Sequence, residues 1–288
     1  MSVRIRAERF PRSRVGFTLV ELMFTILIVF MLMGLLIVGL RSASGFARRT
    51  ADAQTLTSLK TGLSLFKSDF GFIPPLVKDT DPGGPLTSLD PRTDRRSVRV
   101  YRVSSPTDLE VLRGNVTLAG PGSRRYSVYS LPYYIMGALD GEVDGIDGTG
   151  MYEPARDGSF GSGGRRYEPM MRTDEGAGGL NWIDRDEGLV VLRDRTGTEI
   201  RYYRWEPEEE VESSADLNVP EILGIAEDDV ELRGARYGIV IAGANGVFGD
   251  EPVDVIQKKL GMRVDPDPGA ASRAVSAARS DIVVGVGK

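Results

Sequence analysis

The sequence predicts an α+β fold in which one long N-terminal α-helix, part transmembrane and part amphipathic, packs on a small antiparallel β-sheet with long loops. Three observations predict it. From Leu22 to Leu40 the chain runs 19 residues without a charge. Beyond that run, Leu56, Leu59, Leu63, Phe66 and Phe70 recur at spacings of three and four, which is the period of one helix face. Further on, short runs rich in β-branched and aromatic residues alternate with Gly- and Pro-containing stretches, the pattern of strands and turns.

The first element is a basic leader, residues 1–16, with Arg4, Arg6, Arg9, Arg12 and Arg14 against Glu8. The whole chain carries −5 and the leader +4, so the remainder carries −9. An acidic body argues against a nucleic-acid partner, which wants a basic surface. Cysteine and histidine are both absent, which excludes disulfides, thiolate chemistry, Ser-His-Asp and Cys-His sites and histidine-ligated zinc. The chain is therefore not expected to be an enzyme.

Residues 17–40 form the second element, about 36 Å long as a helix and enough to cross a bilayer. A secretory signal peptide has a shorter apolar region of about 7–15 residues and a small-residue exit site, which Arg41-Ser42-Ala43-Ser44 does not supply. The leader's arginines hold the N-terminus in the cytoplasm by the positive-inside rule, against a weaker pull from Arg41, Arg48 and Arg49. A plain anchor leaves Glu21 unexplained. It begins the apolar run, where a carboxylate costs roughly 2.5–3.5 kcal/mol on insertion scales and usually marks function.

The string Gly16-Phe17-Thr18-Leu19-Val20-Glu21, behind a basic leader and ahead of a charge-free run, resembles the type IV prepilin signature. That resemblance implies cleavage after Gly16 and N-methylation of Phe17, with Glu21 as the fifth mature residue and an assembly determinant. The physics agrees, because a new amine at Phe17 is the natural partner for a carboxylate in an apolar setting.

The third element, residues 41–73, continues the helix as an amphipathic stalk, ended by Gly71 and Pro74-Pro75. Its segment Ala53-Gln54, Leu59, Leu63, Phe66 through Pro74 resembles the helix end of the major, G-type pseudopilins of type II secretion, without the usual proline in the transmembrane helix.

Residues 74–288 form the body, with a Gly-rich insertion near 140–180. Strands are expected at Ser97–Val103, Leu189–Leu192, Ile200–Trp205, Tyr237–Ala242 and Ile282–Val286, and a short helix within Tyr129–Leu139. Asp194–Tyr203 resembles the same family's hairpin, and Tyr237–Asp250 with Asp281-Ile282 its closing strand and loop. In G-type pseudopilins that loop holds calcium, so the resemblance makes Asn245, Asp250 and Asp281 candidate ligands. A glycine-rich surface turn explains the same residues equally well. Asp140, Asp144 and Asp147 lack EF-hand spacing and read as turn chemistry. Gly158–Gly164 lacks the strand-to-helix setting of a phosphate loop.

By resemblance, then, the expected function is structural: a pilin-like subunit that leaves the inner membrane, polymerises with its own kind and drives type II secretion. The implied partners are further copies, sister pseudopilins, a prepilin peptidase and an assembly platform with its ATPase. The implied location is the inner membrane, single-pass, with the body periplasmic. A type IV pilin for adhesion, motility or DNA uptake is the alternative. A membrane-tethered periplasmic binding protein or enzyme is the second.

Overall fold

The computed structural model describes residues 18–78, 100–115, 125–136, 151–154, 156, 165–171, 182–186 and 189–288. The leader with Gly16 and Phe17, the acidic cluster Asp140, Asp144 and Asp147, and most of the Gly-rich insertion lie outside them. The chain divides into two compact units, Met1–Phe46 and Ala47–Lys288.

Helix α1 spans Leu19–Phe70 and carries the apolar run at its start. Its stretch Leu19–Ile37 is long and apolar enough to cross a membrane, and none of it is buried. The amphipathic seam falls where the spacing puts it. Leu56, Leu59, Leu63 and Phe66 are buried and Phe70 is half-buried, whereas Leu65, off the seam, is exposed. Gly71 ends the helix at φ +75°, a conformation that favours glycine, and its N–H donates to Lys67 O at 2.8 Å.

After α1 come α2 (Pro106–Arg113), strand β1 (Tyr126–Ser127) and α3 (Ser130–Ile135). Helix α2 shows how local chemistry sets ends: Ser105 accepts from Asp108 N, Pro106 opens the helix, and Gly114 closes it at φ +77°. Of the expected strand Ser97–Val103, the described part makes a single bridge, Val100 to Val77. Two hairpins follow: β2 (Met151–Tyr152) with β3 (Arg166–Tyr167), and β4 (Trp182–Asp186) with β5 (Leu189–Arg193). The first lies inside the predicted Gly-rich insertion, which therefore carries strand pairing rather than loop alone.

The body's main sheet has four antiparallel strands in the order β1-β6-β7-β8, where β6 is Arg201–Arg204, β7 Tyr237–Ile241 and β8 Val283–Gly287. Between β6 and β8 lie α4 (Val230–Gly234), α5 (Val253–Lys259) and α6 (Pro268–Arg279). All five residues of β7 are buried because the sheet is covered on both faces. Tyr202, Tyr237, Ile239 and Ile241 share one core with the seam of α1. The alternate residues Tyr203, Val240 and Val286 join Trp205, Leu223 and Leu232 in a second core. The approach of α1 to β8 requires a glycine: a Cβ at Gly285 would stand 2.6 Å from a Leu56 methyl carbon.

The turn from β5 into β6 is built by Asp194, whose carboxylate accepts from Thr196 N at 2.8 Å, Thr198 N at 2.9 Å and Thr196 Oγ1 at 2.6 Å. Near it on α1 stands Asp52, only 8% exposed. Burial first, and the Asp194 charge second, raise the Asp52 pKa above 3.8, with Arg195 opposing. The sign follows from linkage. The folded state holds this proton more readily than the unfolded one, so the contribution is fully present below the unfolded pKa. It is lost as pH rises through the raised folded value. Asp52→Asn is therefore expected to raise Tm at neutral pH, by about 2–4 °C for each kcal/mol gained. It should also flatten the acid-side slope of Tm against pH. An unchanged pH profile would show that Asp52 is solvated.

Candidate functional site

Helix α1 opens with a reciprocal cap. Thr18 Oγ1 accepts from Glu21 N at 3.2 Å, and the Glu21 carboxylate accepts from Thr18 N at 3.0 Å and from Thr18 Oγ1 at 3.0 Å. This is a capping box, the Thr-x-x-Glu pattern that satisfies two backbone donors otherwise orphaned at a helix start. Its signal stood in the sequence, since Thr18 and Glu21 have the required spacing. Glu21 thus has a local task, which does not use up its charge: among the described residues its carboxylate meets only neutral donors from Thr18. One turn further, Thr25 returns its hydroxyl to the helix, donating to Leu22 O at 2.8 Å and Glu21 O at 3.0 Å. Apart from Glu21 and Thr25 the helix is apolar as far as Ile37.

The three candidate calcium ligands lie on the 3₁₀ turn Gly243–Asn245, the loop after it and the segment following α6. Gly243 passes so close to Asp281 that a Cβ there would meet the Asp281 carbonyl oxygen at 2.2 Å. Each candidate is engaged by protein. The Asn245 oxygen accepts from Val247 N at 3.0 Å, while its amide donates to Ala278 O at 2.9 Å and tethers the loop to the end of α6. Asp281 pairs with Arg49 of α1 at 3.0 Å. Asp250 accepts from Arg201 at 2.7 Å.

Sequence reasoning missed Arg201, the centre of this region. It is 8% exposed, with its guanidinium carbon 3.6 Å from the Phe248 ring centroid and 4.4 Å from that of Tyr126. Glu251 adds a second carboxylate at 3.8 Å and also caps the loop, accepting from Phe248 N and Gly249 N. Burial alone disfavours the charge, but Tyr203, the hydrogen bond donated to Asp250 and the other nearby groups outweigh it and raise the Arg201 pKa.

Calcium takes six to eight oxygens, and a cation already seated on the loop's carboxylates repels it. Among the described residues no group of three or more acidic side chains is placed to hold a metal. Here the loop's carboxylates already meet a positive charge, the Arg201 guanidinium. Chelation is accordingly expected to leave Tm unchanged. Asp250→Ala should lower stability by about 1–2 kcal/mol with or without calcium, since Asp250 is partly solvated. A calcium-dependent Tm rise that Asp250→Ala removes would restore the metal.

No protein-family model, no curated protein and no solved structure matches this chain.

Proposed function

We propose that the chain is a prepilin-like structural subunit, closest in kind to the major pseudopilins of type II secretion. In this reading it is cut after Gly16 and packed by its apolar helix into a helical filament. One observation carries it: Glu21 is the single charge between Phe17 and Leu40, and it sits in the first turn of an apolar helix that no part of the described chain covers. An apolar helix of this kind needs lipid or other helices around it. A carboxylate at its head then needs a cation once lipid is exchanged for neighbours. Cleavage supplies that cation as the Phe17 amine of an adjacent subunit, while Arg14 departs with the leader.

The body supports the reading without adding a catalytic role. It offers neither histidine nor cysteine, and its far helix half is committed to the sheet. In this account the partners are copies of the chain, sister pseudopilins, the peptidase, and the assembly platform with its ATPase. The experiment is to shear filaments from cells and ask for this chain in them. Recovery as a filament subunit is expected. Its confinement to the membrane fraction, as intact monomer under conditions in which sister subunits assemble, would contradict the proposal.

A further inference from the structure

The body contains a cavity of about 750 Å³ whose wall carries six cationic side chains: Lys67, Arg102, Arg156, Arg204, Arg236 and Lys288. They arrive from separate parts of the chain: the end of α1, the loop before α2, residue 156, the end of β6, the residue before β7 and the residue after β8. Among the described residues one carboxylate side chain, Glu206, shares the wall, and it is paired with Arg204 at 3.1 Å. Lys67 donates to Lys288 O at 3.1 Å, and Arg236 donates to Ala235 O at 3.1 Å. Among the described residues no carboxylate forms an ion pair with Arg102, Arg156, Arg236 or Lys288. Arg204 also keeps a buried Nε–H without an acceptor.

We propose that this cavity binds a small organic polyanion, a carbon framework bearing two or more phosphate, sulfate or carboxylate groups. Convergent cations repel one another and weaken the folded state unless an anion joins them. Here they converge on a body that is otherwise acidic, at −9 after the leader, so a general excess of basic residues does not explain them. Guanidinium groups also favour bidentate pairing with oxyanions over single point contacts. Apart from Ser104 the rest of the wall is mostly apolar, with Ile73 and Tyr101 buried and Phe72 half-buried, which suits a carbon framework better than a bare inorganic ion. The volume lies within the range of small-molecule sites. None of this depends on filament assembly.

A soluble metabolite and a lipid headgroup both offer such groups, and the test separates them. The full chain is placed in phosphatidylcholine nanodiscs and titrated by calorimetry with fructose 1,6-bisphosphate, with fructose as the neutral control. In a second arm the discs contain cardiolipin, and Tm is followed by near-UV circular dichroism. Saturable binding of the bisphosphate but not of fructose assigns a free ligand. A Tm rise in the cardiolipin arm alone assigns a headgroup. In either case Arg102→Glu is expected to weaken the response at least about tenfold. Arg236→Gln, which removes one charge without reversing it, should weaken it less. Neither arm responding, both variants responding like wild type, or sodium chloride of equal ionic strength reproducing the effect would overturn the proposal.

Discussion

Glu21→Ala is expected to insert in the membrane and lose its leader normally, yet to fall out of the filament fraction by about two orders of magnitude or more. Two tasks are removed at once, and their magnitudes separate them. The capping box with Thr18 is worth about 0.5–2 kcal/mol, too little to abolish a filament. Leaving a buried amine or carboxylate without its partner costs about 3–5 kcal/mol, which is enough. Glu21→Gln divides them more cleanly, because Gln at this position still accepts from Thr18 N but carries no charge. We expect Gln to assemble almost as poorly as Ala, and Glu21→Asp, one methylene shorter, to be intermediate. Assembly by Glu21→Gln at the wild-type level would make the helix cap the whole role of the residue.

Phe66→Ala is expected to be among the most destabilising single changes in the body, at about 3–5 kcal/mol. Its ring is fully buried and meets Phe70 at 4.7 Å, Phe72 at 5.4 Å and Tyr134 at 5.8 Å between centroids. These contacts bind the end of α1 to the chain beyond it and to α3. Truncation removes the ring's burial and leaves a void that rigid neighbours fill only in part. By near-UV circular dichroism of the full chain in detergent, Tm should fall by about 2–4 °C per kcal/mol lost. Leu65→Ala, one residue away but exposed, should change Tm little. Equal effects at the two positions would show that the seam does not hold the helix.

The seam was legible because a 3.6-residue period needs no partner to be seen: Leu56, Leu59, Leu63 and Phe66 were all read from spacing. Strands β5 to β8 were legible through their β-branched and aromatic content, within a residue or two at the ends. Strand β4, Trp182-Ile183-Asp184-Arg185-Asp186, was not, because its charges and the glycines before it hide it inside a loop-like stretch. Helix α6 was also missed. It buries only Ala270, Ala274 and Ala278, a stripe too small to register as hydrophobic, although Asp267-Pro268 marked its start. The capping box shows a different failure. The pattern was present, but Glu21 was weighed only as a charge out of place. Arg201 could not have been found at all, since it meets Asp250 and Glu251 only after β6 has paired with β7. The cationic cavity has the same origin, with walls that come from well-separated stretches of the chain.

The central claim is processing, and the mass of the mature N-terminus tests it most directly. The chain is isolated from the membrane of cells that carry a prepilin peptidase, and its N-terminal peptide is sequenced by mass spectrometry. The expected chain begins at Phe17 with one methyl group on its amine and lacks residues 1–16. An intact leader, or a chain that begins beyond Leu40, would contradict it.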